Sequence, residues 1–231
     1  MTYNRGMDQD LRYELKMAVN GRLLPNARNW LRLHPAGFRT AYPTRLVNSL
    51  YLDTPHLNAL NANIVGVSDR QKLRLRWYGN FQQNPVIQPA LELKFKHNLV
   101  GGKKRFPLPA PLDLRQPWSV ILTALYEQVP ADWQPLLAAA SQPTFINQYR
   151  RDYFVTPDGQ IRATLDYDQR AYNQQFSPRP NFHHPLPNDD LLVIEIKSEV
   201  AQADRLEAIM AHFPAQRTRN SKYANGMLAS L

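Results

Sequence analysis

Read at alternate positions, several stretches of this sequence string charged side chains along one line. Arg12, Glu14 and Lys16 alternate with Tyr13, Leu15 and Met17, and Lys72, Arg74 and Arg76 alternate with Leu73, Leu75 and Trp77. Glu92, Lys94 and Lys96 interleave with Leu91, Leu93 and Phe95, and Arg151 stands between Tyr149 and Tyr153. Arg162, Thr164 and Asp166 alternate with Ile161, Ala163 and Leu165, and Glu195 and Lys197 with Leu192, Ile194 and Ile196. These residue types match phosphate chemistry. Arginine offers a planar fork that binds two phosphate oxygens, and lysine a compact point charge. The carboxylates of Glu14, Glu92, Asp166 and Glu195 oppose an anion, but they suit a hard divalent cation, Mg²⁺ or Mn²⁺, that bridges phosphate oxygens. Such an ion would neutralise charge on a transferring phosphoryl group. Salt bridges from Glu14 and Glu92 to neighbouring lysines are the alternative.

The elements that must position these residues follow from the spacing. Period two over six to eight residues is the strand signal. It appears at Leu11–Ala18, Arg45–Leu52, Lys72–Trp77, Ala90–Lys96, Gly102–Leu108, Gln148–Val155, Gln160–Tyr167 and Leu191–Ser198. Gly101-Gly102 and Pro157-Asp158-Gly159 read as hairpin turns. Helical spacing marks Pro55–Ile64, Trp118–Gln128, Asp132–Ala140 and Ala201–Phe213, with a last short helix near Arg219–Leu231. The class is α+β, with a largely antiparallel sheet. One solvated sheet face would explain any single strand. Taken together, the strands would place cations side by side, and two like charges about 6 Å apart repel by roughly 3 kcal/mol at an effective dielectric near 20. A polyanion among them relieves that repulsion. A sheet curled shut with its charged face inward would make a tunnel for it, with helices on the apolar outside.

Composition agrees. The chain has 231 residues, with 28 Lys plus Arg against 19 Asp plus Glu and a net charge of +9, so an anionic partner is expected. Its 43% hydrophobic content is that of a folded chain, and one domain over 1–231 is expected because the two proline-rich connections (Pro107 to Pro117 and Pro178 to Pro187) separate no compositionally distinct halves. Cysteine is absent. This excludes disulfides, thiolate metal sites and cysteine nucleophiles, and it fits a reducing compartment such as the cytoplasm. No apolar run reaches the roughly 20 residues that span a bilayer, and the polar start is no signal peptide. There is no G-x-x-x-x-G-K-[ST] loop, no G-x-G-x-x-G after a strand, no kinase catalytic-loop signature and no G-x-S-x-G, so any phosphate is held by side chains. His183-His184 lacks further ligands at metal spacing. Nucleic acid is not expected, because Trp77 and Phe95, beside the cations in sequence, fall on the opposite strand face.

These segments resemble the VTC domain, the vacuolar transporter chaperone family of polyphosphate polymerases within the triphosphate tunnel metalloenzyme, or CYTH-like, superfamily. The resemblance lies in RYELK at Arg12–Lys16, SLYLDTP at Ser49–Pro55, RQKLRLRWYG at Arg70–Gly79, LELK at Leu91–Lys94 and QYRRDYF at Gln148–Phe154. It continues in IRATLD at Ile161–Asp166, IEIK at Ile194–Lys197 and SKY at Ser221–Tyr223. It implies a closed antiparallel barrel of about eight strands whose lumen binds a triphosphate or polyphosphate. By position, Lys16, Arg74, Arg76, Lys94, Arg151 and Arg162 match the family's tunnel cations, with Lys197 beside Glu195, its metal-binding carboxylate. Lys222 matches a catalytic lysine, and Glu14, Glu92 and Asp166 match acidic lumen positions. Tyr-x-Arg spacing favours Arg151 over Arg150 as the inward residue. The chain is expected to work without the SPX domain and membrane segment that accompany fungal members, so moving a product across a membrane would need a separate membrane-protein partner. The leading expectation is a Mn²⁺- or Mg²⁺-dependent transfer of the ATP γ-phosphate to polyphosphate. A triphosphatase and a non-catalytic polyphosphate-binding module are the alternatives.

Overall fold

The structure, a computed structural model, describes residues 12–97, 100–187 and 189–210. Among the described residues ten strands are present: β1 (Arg12–Asn20), β2 (Arg39–Asp53), β3 (Arg70–Tyr78), β4 (Val86–Ile87), β5 (Ala90–His97), β6 (Val100–Pro107), β7 (Leu112–Asp113), β8 (Gln142–Val155), β9 (Ile161–Asn173) and β10 (Leu191–Glu199). Five α-helices of the described residues accompany them: α1 (Leu24–Leu33), α2 (Asn58–Val65), α3 (Trp118–Gln128), α4 (Gln134–Ala139) and α5 (Ala203–Met210). Eight strands form one antiparallel sheet in the order β1-β10-β9-β8-β2-β3-β5-β6, and the two-residue strands β4 and β7 pair separately.

Ladder partners share a face, so the register carries the alternation across the sheet. Lys16 faces Glu195, Lys197 faces Arg162, and Asp166 faces Arg151. Arg151 faces Arg45, Tyr51 faces Arg74, Arg74 faces Glu92, and Lys94 faces Lys103. One side of the whole sheet is therefore charged. The other carries two apolar cores. One joins Leu50, Leu75, Trp77, Leu91 and Ile146 to Trp118, Ile121 and Leu125 of α3 and Leu137 of α4. The other joins Met17, Ile161, Leu165, Ile194 and Ile196 to Leu31 of α1 and Leu206 and Ile209 of α5.

The charged side is concave. On a flat sheet β1 and β5, six strand spacings apart, would stand about 29 Å from each other. Instead Lys94 of β5 comes within 3.8 Å of the Glu14 carboxylate of β1. The sheet is curled but open. Among the described residues no backbone ladder joins the edge strands β1 and β6, and this corrects the expectation of a closed barrel. The approach across the gap is made by long charged side chains, which hold strands further apart than a ladder would.

One further expectation changes. Gly101 and Gly102 belong to β6 rather than to a turn: Gly102 pairs with Phe95, whose ring lies where a Cβ would be, 2.4 Å away. Helix α1 was not apparent in the spacing. The helix expected near Arg219–Leu231 and the end of the one expected over Ala201–Phe213 lie outside the described residues. No helix among the described residues is long and apolar enough to cross a membrane.

Candidate functional site

The concave face gathers its charges into three groups. Glu92 on β5 is the centre of the first. Arg74 donates to its Oε2 through Nε at 2.9 Å and Nη2 at 2.7 Å, and Lys103 donates to Oε1 at 3.2 Å. Arg76 and Arg105 each approach to 4.0 Å. Burial opposes a charge on Glu92, which is 2% exposed, yet Arg74, Arg76 and Lys103 overcome it and hold the carboxyl at about 2. Arg76 also donates to the Tyr149 hydroxyl at 3.0 Å.

The second group is a clasp. Arg151 donates to both oxygens of Asp166, from Nε at 2.5 Å and Nη2 at 2.7 Å, and its guanidinium lies 5.2 Å from the centre of the Tyr149 ring. Asp166 is fully buried. Its neighbour Arg150 takes the other direction and donates to Asp168 at 3.1 Å, beyond a bulge in the β8–β9 ladder.

The third group joins the two ends of the curl. Lys16 binds Glu14 at 2.5 Å, Lys197 binds Glu195, and Arg151 reaches Glu195 at 3.9 Å. Glu14 and Glu195 are set side by side through these lysines, since Glu14 is the ladder partner of Lys197 and Glu195 that of Lys16. Burial opposes charge on Glu195, but Lys197, Lys16, the contact with Glu14 and Arg151 keep its carboxyl well below the usual range. Lys72 and Lys94 close the group. Burial first, then Lys94, Arg70 and Lys16, lower the Lys72 ammonium to about 7. Burial lowers Lys94 to about 8, with Lys16 and Lys197 adding to it and Glu14 opposing.

The structure thus brings together Lys16, Arg74, Arg76, Lys94, Arg151, Lys197, Glu14, Glu92, Asp166 and Glu195. Arg162 shares their face, exposed and opposite Lys197. Lys222 lies outside the described residues. Glu92 and Asp166 act here as counter-ions with their oxygens engaged by guanidinium groups, whereas Glu14 and Glu195 form a carboxylate pair. No group of three or more acidic or histidine ligands occurs among the described residues. Two carboxylates nevertheless fit Mg²⁺ or Mn²⁺, because such ions are commonly held by one or two carboxylates, with phosphate oxygens and water completing the shell.

Lys72, Lys103, Arg105, Tyr149 and Tyr51 also belong to the site. The alternation of Lys103 and Arg105 in the sequence could have marked the latter strand. Trp77 and Phe95 lie on the apolar side as expected, whereas Tyr149 and Tyr51 stand on the cation face.

A family model described as the VTC domain matches residues 11–231. The chain belongs to the VTC-domain family. No curated protein matches it. Among solved structures, it resembles a protein from Vibrio parahaemolyticus proposed to be an adenylate cyclase, with 12% identity, a TM-score of 0.52 and coverage of 94% of this chain and 97% of that one. It also resembles an adenylyl cyclase candidate from Hippeastrum, reported to have a dominant triphosphatase activity, with 17% identity, a TM-score of 0.51 and coverage of 94% and 95%. At these identities the likeness shows that this VTC domain shares their fold.

Proposed function

We propose that this VTC domain is a metal-dependent phosphotransferase that moves the γ-phosphoryl group of ATP onto the end of a polyphosphate chain. The observation that carries the reading is the concave face, on which six cations from four strands (Lys16, Lys72, Arg74, Arg76, Lys94 and Arg151) converge beside the Glu14–Glu195 pair. The guanidinium forks of Arg74, Arg76 and Arg151 align phosphates, the lysines screen their charge, and Arg162 and Lys197 extend the row. Glu92 and Asp166 fix the directions in which Arg74 and Arg151 point. The curled face serves as the wall of a tunnel along which the chain lies.

Glu14 and Glu195 would hold Mg²⁺ or Mn²⁺, which when bound neutralises charge on the phosphoryl group. In the transfer, a terminal oxygen of the chain attacks the γ-phosphorus while the bond from that phosphorus to the βγ-bridging oxygen breaks. ADP leaves with the electron pair, one for each phosphate added. Lys222, placed by the SKY segment, is assigned to the transferring or leaving phosphate. We place the protein in the cytoplasm, with any membrane passage of product left to a separate membrane protein.

A triphosphatase, with water as acceptor, is the second reading, favoured by the fold shared with the Hippeastrum protein. Incubating purified protein with ATP and Mn²⁺ or Mg²⁺ and separating the products on a gel distinguishes them. A ladder of chains is the expected result. Orthophosphate alone supports the triphosphatase, and binding without turnover under either metal reduces the domain to a polyanion-binding module.

A further inference from the structure

Arg45 is a cation that the three charge groups leave out. It is the ladder partner of Arg151, on the same face of the sheet. Its guanidinium carbon lies 4.8 Å from the centre of the Tyr42 ring and 5.5 Å from the centres of both Tyr78 and Tyr153. Tyr42 and Tyr153 meet edge to face at 5.6 Å. Among the described residues no carboxylate pairs with Arg45, so ring faces alone hold it there. Tyr42 and Tyr78 are 53% and 51% exposed, so aromatic surface remains open to solvent around it.

Electron-rich ring faces are poor neighbours for another phosphate. They suit a flat, aromatic group, and a guanidinium plane beside them adds both a stacking surface and a fork of donors for ring nitrogens or carbonyls. One strand spacing away, Arg151 carries the charge that a phosphate needs. A nucleotide has this pattern: a planar base at one end, a ribose, then phosphates.

We propose that Arg45, Tyr42, Tyr78 and Tyr153 form a nucleobase site that stacks the base of a nucleoside triphosphate whose phosphates lie on Arg151 and Arg76. The proposal rests on the phosphotransferase reading in one respect, that the concave face takes a triphosphate. It adds that the donor is recognised at both ends, so that ATP binds more tightly than inorganic tripolyphosphate of equal phosphate number.

The test is titration calorimetry with ATP and with tripolyphosphate, each with Mg²⁺. It compares the wild type with the double variants Tyr42→Ala/Tyr78→Ala and Tyr42→Phe/Tyr78→Phe. Because both tyrosines are half exposed, the variants should fold, and circular dichroism checks that they do. The alanine pair is expected to weaken ATP about tenfold, the scale of losing a stacking partner for one base, while tripolyphosphate affinity stays the same. The phenylalanine pair should keep ATP affinity, since stacking needs the ring and not the hydroxyl. Equal losses for both ligands, no loss for either, or a phenylalanine pair as weak as the alanine pair would overturn the nucleobase site alone. A wild type that binds neither ligand would overturn the triphosphate reading, and the nucleobase site with it.

Discussion

Glu92 shows how a buried carboxylate can serve an anion site without touching the anion. Four cations surround it, and removing the negative centre would leave them to repel one another. Glu92→Gln should therefore destabilise the protein by about 3–5 kcal/mol in denaturant unfolding, the loss expected when one partner of a buried ion pair is removed. Added tripolyphosphate should restore more stability to the variant than it gives the wild type, because it replaces the missing charge. The carboxyl is held near 2, below its ordinary value of 4.5, so its contribution is complete above about pH 4.5 and is lost as pH falls towards 2. The wild type should lose stability over that window more steeply than Glu92→Gln. Lys72 carries the opposite sign. Its ammonium is lowered from 10.5 to about 7, so the folded free protein has released a proton that a bound polyanion would draw back. Triphosphate affinity should hold below pH 7 and fall as pH rises above it. Calorimetry at pH 8 in buffers of different ionisation enthalpy should register proton uptake in the wild type and less in Lys72→Arg.

Among the elements, α2 depends on one residue of the SLYLDTP segment. Asp53 is buried at the end of β2, and its carboxylate accepts the backbone N–H groups of Thr54 at 2.7 Å, Ala59 at 2.9 Å and Leu60 at 3.0 Å. Asp53→Ala strands those donors and should lower stability by about 2 kcal/mol in a denaturant melt, with Asp53→Asn losing less. Asp53 thus has a structural role inside a segment that otherwise reads as a functional signature. The strands that carry the site were legible because their cations alternate with apolar residues of the opposite face. The starts of β2 and β8 were not, since register shifts between Thr40 and Arg45 break the alternation in β2, and residues 143–149 of β8 are buried on both faces. Helix α1 escaped notice although Leu24, Ala27, Trp30 and Leu31 follow helical spacing into the core; its Arg28 is turned to Asp152 and Tyr167, partners more than 120 residues away. The pairing of Glu92 with four cations and the tyrosines around Arg45 depend on register and curl, which no local spacing encodes.

Across the whole molecule, the curl concentrates positive charge on one surface. Binding there should be strongly salt-sensitive, and a saturating triphosphate should raise the unfolding midpoint, since a ligand at a hundred times its Kd adds about 2.7 kcal/mol. Differential scanning fluorimetry with tripolyphosphate at two salt concentrations checks both; a midpoint that does not move at low salt would contradict the gathered cations. The two larger greasy cores lie on the convex side, packed under helices, and only a small third cluster of Tyr51, Leu60, Phe145 and Ala171 shares a residue with the face that meets the anion. Cohesion and chemistry are consequently written on opposite sides of the same strands. An inward residue away from Glu92, Tyr51 and Tyr149 can be exchanged without recarving the two larger cores, so this architecture is free to drift in what it handles while keeping its path through space. Chains only 12% and 17% identical that still trace the same fold are what such freedom would leave behind.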